Sequence, residues 1–265
     1  MLCKFSKTKR PETTSSPVKK IIAGLLAVVT LALLLCSCGK KEDSIVGEWR
    51  FDILHSDLSG EDLLTLASKS SNADILRRAV DLLGDNFLKE SMDAVFQSYT
   101  LSFDKDGTLT LLIDPALLRQ GTVAMYDNLF DSFAKLSPDA VAGFYGVSAA
   151  ELKARLEAQG KTFAELCEEG KAEFRQNVNT TMTDQALAKN FNATLNKDGK
   201  LEVAKEEYVL EDNQLSFVNA SKQKTGAWTI TCKDDVITVG KVVTESNSAS
   251  ASAFFEGMKL VKVGS

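Results

Sequence analysis

The sequence predicts a mainly β protein with helical insertions (α+β), built on an antiparallel β-barrel of about eight to ten strands. Three observations support this prediction. Stretches of alternating apolar and polar residues meet at short turns rich in Asp and Gly, which is typical of β-hairpins. Two stretches, at about 57–97 and 114–190, instead place apolar residues at helical spacing. The last strands follow one another too closely for parallel crossovers, so they form an antiparallel meander.

The first strand is predicted at Ser44–Ile53, where Trp49, Phe51 and Ile53 share one face. The first hairpin is predicted at Tyr99–Ile113, because the alternation pauses at the turn DKDG and then resumes.

The last third of the chain repeats this pattern. A second hairpin is predicted at Phe191–Val203, around the turn at Asp198–Gly199. Further turns are predicted at Asp212–Asn213 and Asp234–Asp235, and a final strand at Met258–Val263. The segment 246–253, SNSASASA, is expected to be a flexible loop before that strand.

The helical stretches carry start signals. Ser137 and Pro138 have the pattern of an N-cap residue followed by proline at the first helical position. The segments 148–151 (SAAE) and 162–165 (TFAE) have the spacing of capping boxes. Each helix has an apolar stripe to bury, and the wall or the mouth of the barrel is the surface available for it.

The N-terminal segment has the pattern of an export signal. A basic flank precedes 15 uncharged apolar residues, 21–35, which suits a secretory signal and falls short of a typical membrane span. The alternative is an uncleaved membrane anchor. The sequence LCSC that follows, Leu35 to Cys38, resembles the lipobox of bacterial lipoproteins, and Cys36 fits that pattern less well than Cys38 because Leu35 directly precedes it.

The lipobox resemblance implies cleavage before Cys38 and acylation of its thiol. The domain boundaries that follow are a signal peptide at 1–37, a lipid-anchored spacer at 38–43 and the barrel domain at 44–265. Two or three acyl chains would hold the protein at the cell membrane or the outer membrane, on the extracytoplasmic side. Which membrane and which envelope type stay open.

The charge of the mature chain argues against nucleic acid as a partner. The leader holds six of the 31 basic residues and one of the 36 acidic residues, so the part from Cys38 onward has a net charge of −10. Such a surface repels phosphate backbones and anionic lipid headgroups.

Gly47-Glu48-Trp49, at the start of the first strand, resembles the Gly-x-Trp signature of lipocalins and bacterial lipocalin-like domains. The resemblance implies that the indole plugs one end of the barrel while the glycine permits a close approach. Lipocalins also stack a late arginine on this tryptophan, and no arginine follows Arg175 here. Lys259, Lys262 or Arg50 would have to take its place.

No catalytic pattern stands out, and the protein is expected not to be an enzyme and to need no cofactor or metal. His55, the sole histidine, lies near Asp57 at a strand exit and is interpreted as a surface residue. Cys167 and Cys232 are interpreted as buried thiols, with a disulfide as the alternative. Two hypotheses remain. The first is a binding protein whose barrel, open at the end away from Trp49 and covered by the inserted helices, holds a small hydrophobic or amphipathic ligand. The second is a non-enzymatic module with a filled barrel that engages another envelope protein.

Overall fold

The computed structural model describes residues 45–67, 73–218, 223–244 and 256–264. The strands in these ranges are β1 (Gly47–Asp52), β2 (Tyr99–Phe103), β3 (Thr108–Ile113), β4 (Thr194–Leu195), β5 (Leu201–Glu211), β6 (Gln214–Val218), β7 (Lys224–Lys233), β8 (Val236–Thr244) and β9 (Lys259–Lys262). The helices are α1 (Gly60–Ala67), α2 (Ala73–Leu83), α3 (Asp85–Phe96), α4 (Pro115–Ala134), α5 (Pro138–Tyr145), α6 (Ala149–Gln159), α7 (Phe163–Thr181) and α8 (Asp184–Phe191).

Eight of the strands close into an antiparallel barrel. Each strand pairs with the next one along the chain, except that β3 pairs with β5, and β9 returns to β1. The two-residue strand β4 extends the sheet beside β5 and is not part of the closed ring. The predicted barrel with inserted helices is therefore confirmed, and both tryptophans lie on strands of this one closed sheet.

The two ends of the barrel differ. The three tight turns, β2–β3, β5–β6 and β7–β8, lie at the same end of the barrel, here called the turn end. The strand pairing shows this, because the start of β1 at Gly47 lies beside the end of β2 at Phe103, and the start of β3 at Thr108 lies beside Glu207 near the end of β5. The long connections β1–β2 and β3–β5 leave from the opposite end and contain every described helix; we call it the helix end. All insertions into the meander thus lie on one side of the barrel.

Turn chemistry explains the turn end. Asp212, Asn213, Asp234 and Asp235 all have positive φ angles, between 51° and 68°. Two successive residues with positive φ make a type I′ turn, whose twist matches that of the flanking strands. In the β2–β3 turn the Asp106 carboxylate accepts a hydrogen bond from the Thr108 amide at 3.0 Å. The three turns predicted at these positions are confirmed.

The barrel interior is an apolar core. The largest fully buried side chains include Trp49, Trp228, Phe51, Phe103 and Phe217, all on barrel strands. They belong to one cluster that continues through Leu63 of α1 and Leu88 of α3. Burial on this scale is the main favourable contribution to folding. It also joins the first group of helices to the barrel as a single core.

The helices stack outward from the helix end. The Asp93 carboxylate of α3 accepts hydrogen bonds from the amides of Ile53 and Leu54 just after β1, at 2.9 and 3.3 Å. Helix α4 packs on α3, and α7 packs on α4. The barrel itself therefore supports only the innermost helices. The outer helices pack their apolar stripes against one another, α6 only in part, so the prediction that the barrel covers each stripe is wrong for them.

Several local predictions need refinement. Phe191 ends helix α8 and the strand before the Asp198–Gly199 turn covers only Thr194–Leu195, so the second hairpin is shorter than predicted. Thr162 and Glu165 form a full capping box, whereas Ser148 only accepts from the Glu151 amide. The Glu151 carboxylate instead accepts a hydrogen bond from the guanidinium of Arg155, one helical turn later. The segment 246–253 and the leader lie outside the described residues.

Candidate functional site

The predicted Gly-x-Trp pair lies at the turn end of the barrel. Trp49 is fully buried, and its indole Nε1 donates a hydrogen bond to the Ile45 carbonyl at 2.6 Å. The Lys262 ammonium lies over the indole ring, 5.5 Å from its centroid. Of the three cations that the sequence offered for this place, the structure selects Lys262. Lys259 points elsewhere and donates to the His55 carbonyl at 2.6 Å.

Gly47 has a specific steric role in this contact. Its φ is +132°, a conformation that residues with a side chain rarely adopt. A Cβ at this position would lie 3.3 Å from Cε of Lys262. The glycine therefore leaves room for the lysine stem that reaches Trp49. Gly47 and Trp49 thus have a structural role at the turn end of the barrel, where the buried indole lies under the Lys262 side chain.

A cleft of about 310 Å³ opens within the outer helices, between α4, α5, α6 and α7. Its volume is at the lower end of the range found for small-molecule sites. Apolar side chains dominate its lining, which consists of Phe130, Phe133, Tyr145, Val147, Leu152, Arg155, Leu156, Gln159, Phe163, Leu166 and Cys167. Such a surface is suited to an apolar or amphipathic molecule.

Helix α6 covers one side of this cleft and is weakly packed. None of its residues is buried. Leu152 and Leu156, one turn apart, face the cleft and are only half-buried. Gly146 and Gly160, in the left-handed conformation, bracket the helix, and a Cβ at either would meet nothing within 4 Å. The apolar side of α6 is therefore only partly covered by protein.

The opposite wall, formed by α4 and α7, is held firmly. Lys171 of α7 is only 5% exposed, and its ammonium pairs with the carboxylates of Asp131 and Glu168. One turn on, Arg175 pairs with Asp127 at 2.8 Å, and Tyr126 stacks on Phe174 with centroids 3.6 Å apart. These contacts hold a rigid wall against which a bound molecule could rest.

The electrostatics of the cleft are simple. Arg155 is the charged residue in its lining, and its guanidinium pairs with the exposed Glu151 at 2.6 Å. Burial raises the pKa of the Cys167 thiol above its ordinary value of 9.0. Desolvation, with a smaller contribution from the nearby Cys167, likewise raises the pKa of Tyr145. The cleft thus holds neutral groups and one cation at physiological pH.

A second unusual polar group faces the barrel interior. Glu206 of β5 is in register with Leu109 of β3, so the two side chains share the inward face. Its Oε2 is shielded from solvent, and no described residue donates a hydrogen bond to it. Desolvation raises the pKa of this carboxyl to about 7. Glu206 is therefore a half-buried carboxyl on the inner face of the barrel.

The other residues singled out from the sequence occupy unremarkable positions or lie outside the described part. Cys38 is among the latter. His55 is exposed, as expected, and its Nδ1 lies 2.9 Å from the Asp52 carboxylate, whereas Asp57 pairs with Lys259. Cys167 is buried and Cys232 half-buried, and they form no disulfide. Over the described residues, no cluster of three His, Cys, Asp or Glu side chains is placed to hold a metal.

Among the helices of the described ranges, none combines the length and the apolar character needed to cross a membrane. The apolar segment at 21–35 is not part of those ranges.

Comparison with known proteins gives no relative: no protein-family model, no curated protein and no solved structure matches the chain.

The cleft was not predicted from the sequence. Leu152 and Leu156 are one helical turn apart and follow the cap at Ser148, which is the pattern of any amphipathic helix. Nothing in that pattern shows that its apolar side is left partly uncovered, because this depends on how closely α4, α5 and α7 approach it.

Proposed function

We propose that the protein is a lipid-anchored, extracytoplasmic binding protein for a small hydrophobic or amphipathic molecule, and that the cleft between α4, α5, α6 and α7 is its binding site. The observation that carries the proposal is the cleft itself: about 310 Å³ lined mainly by apolar side chains. The lipobox-like sequence ending at Cys38 supports the location. The resemblance of Gly47 and Trp49 to the lipocalin signature supports a barrel used as a scaffold.

This proposal moves the site from the barrel to its insertions. The inward side chains of the barrel strands include two tryptophans and three phenylalanines that are essentially inaccessible to solvent. They pack as one core. The outer helices, by contrast, leave Leu152 and Leu156 half-exposed above a rigid wall. A ligand would gain most by covering these side chains.

Cys167 offers a direct test, since it is 3% exposed and lines the cleft. Membranes carrying the full chain are treated with iodoacetamide, with and without the apolar probe decanol, and digested with trypsin. Alkylation is followed on the peptide Thr162–Lys171 by mass spectrometry. The peptide Thr225–Lys233, which contains Cys232 on the barrel wall, is the internal control. Protection of Cys167 alone is expected; equal labelling with and without probe would contradict the proposal.

One observation favours a second function, an envelope interaction module. The packed barrel core is what a scaffold for partner binding requires, and Tyr145, at the edge of the cleft, is 56% exposed. In that case a Tyr145→Ala variant would lose association with a partner in the envelope, while decanol would leave the labelling of Cys167 unchanged.

A further inference from the structure

We propose that the ligand of the cleft is an amphipathic anion, such as a fatty acid, whose carboxylate pairs with Arg155 while its tail lies beneath α6. The inference rests on the proposed function and adds the chemical class of the ligand. Its first support is composition: of the lining residues of the cleft, Arg155 alone carries a charge, and that charge is positive.

The second support is the position of Arg155 on α6. It lies three residues after Leu152 and one before Leu156, and all three line the same cleft. Residues three or four apart are neighbours on a helix surface, so Arg155 lies beside Leu152, one of the two leucines that would cover an apolar tail. Gln159 follows Arg155 by one turn and adds an amide at the same edge. One helix therefore presents an apolar surface bordered by hydrogen-bond donors.

The third support is that Arg155 forms only a weak ion pair in this structure. Its guanidinium is paired with Glu151, and both side chains are about half exposed or more. Exposed ion pairs of this kind contribute little to stability, because water competes for both groups. A ligand carboxylate can therefore displace Glu151 at small cost. Beside the apolar cleft walls, it would form a charge-assisted pair of the bidentate type that arginine favours.

The net charge of the chain from Cys38 onward opposes anion binding over most of the surface, so an anionic ligand needs a local cation. The part from Cys38 onward carries a net charge of −10, which repels anions in general. Three cations on α6, on α7 and between them are engaged in ion pairs away from the lining of the cleft: Lys153 with Glu157, Lys161 with Glu169, and Lys171 with Asp131 and Glu168. An anionic headgroup would therefore be drawn to Arg155 in particular.

The test compares decanoate with decanol, which share a tail and differ in the headgroup. Both are titrated against membranes that carry the full chain, with alkylation of Cys167 as the readout and Cys232 as the internal control. The variants are Arg155→Gln and, as the matched control, Lys153→Gln, which removes one positive charge from the exposed side of the same helix. For each ligand, the concentration that gives half-protection is compared between variants. Partitioning of the ligand into the membrane is the same for all variants and therefore cancels.

We expect Arg155→Gln to raise the concentration of decanoate needed for half-protection about tenfold, the effect of losing one charge-assisted pair. Decanol should protect both proteins equally, and Lys153→Gln should behave as the unmodified chain. Arg155→Lys should restore part of the affinity for decanoate. If decanol protects but Arg155→Gln leaves the decanoate titration unchanged, or if Lys153→Gln shifts it as much, the anion assignment is wrong while the proposed function stands. If neither ligand protects Cys167, the proposed function itself fails.

Discussion

Lys262 and Trp49 face each other across the seam that closes the barrel. Their Cα atoms are register partners in the pairing of β9 with β1, and the lysine ammonium lies 5.5 Å from the centroid of the indole. The residues come from opposite ends of the domain sequence. Their contact therefore forms only when the last strand has joined the first, and the two residues report on closure of the sheet.

The coupling between these residues can be measured with a double-mutant cycle of Lys262→Gln and Trp49→Leu. A cation over an aromatic ring near the surface contributes about 0.5–1 kcal/mol. We therefore expect a coupling free energy of about that size from urea denaturation. Lys259→Gln combined with Trp49→Leu is the control and should be additive, because Lys259 bonds to the His55 carbonyl and Asp57. Additivity in both cycles would mean that the cation does not act on the ring.

Trp49→Ala should lower the free energy of unfolding by about 3–5 kcal/mol, the usual cost of removing a buried indole. The residue is fully buried, and the substitution also removes the hydrogen bond to the Ile45 carbonyl. Tyr145→Ala removes an exposed aromatic and should change the unfolding free energy by less than about 0.5 kcal/mol. Equal urea midpoints for the two variants would contradict the burial of Trp49.

Gly121→Ala should destabilise the protein by about 3 kcal/mol or more, at the upper end of the cost of overpacking. A Cβ on Gly121 of α4 would lie 2.6 Å from the carbonyl carbon of Ala94 on α3 and closer still to its oxygen, so the two helices would have to separate. Gly143 is the matched control because a Cβ there meets nothing within 4 Å. Gly143→Ala should stabilise helix α5 by up to about 1 kcal/mol. Thermal unfolding of both variants distinguishes close packing from a general effect of glycine replacement.

Glu206 should make stability depend on pH. Its folded pKa is raised to about 7 from an ordinary value of 4.5, so folding favours the protonated carboxyl. The resulting stabilisation is complete below about pH 4.5 and is lost as the pH rises through 7. Because the side chain is partly exposed, we expect a difference of about 1–2 kcal/mol.

The unfolding free energies of the unmodified chain and of Glu206→Gln are measured by urea denaturation at several values between roughly pH 4 and pH 8. The quantity of interest is the free energy of the unmodified chain minus that of the variant. This difference should fall as the pH rises. Glu202→Gln, at an exposed position on the same strand, is the control for replacing a surface glutamate by glutamine. A difference that stays constant over this range would show that folding does not shift the pKa of the Glu206 carboxyl.

If the proposed anchor is correct, Cys38→Ala should abolish acylation and leave the precursor uncleaved, because the lipobox that this segment resembles is modified at the thiol of this cysteine. The measurement is incorporation of a fatty-acid analogue in the host, together with the mass of the chain. Cys36→Ala is the control and should be processed normally, since Leu35 makes Cys36 the poorer match to the lipobox. Continued labelling of Cys38→Ala would contradict the anchor site.

The sequence by itself determined the local elements. Period-two alternation and the Asp-Gly, Asp-Asn and Asp-Asp turns predicted the hairpins correctly, because side-chain direction in a strand and positive φ in a type I′ turn depend on neighbouring residues alone. The caps at Ser137 and Thr162 marked helix starts for the same reason. Gly47 and Trp49 indicated a closed barrel.

Only the tertiary structure decided which lysine meets Trp49, that β3 pairs with β5 across five intervening helices, and that α6 is left partly uncovered above the cleft. Each of these depends on contacts between residues far apart in the chain, and their geometry follows from how whole elements pack. A periodic pattern shows that a helix has an apolar side, but the distance to its neighbours decides whether that side is filled by protein or left for a ligand.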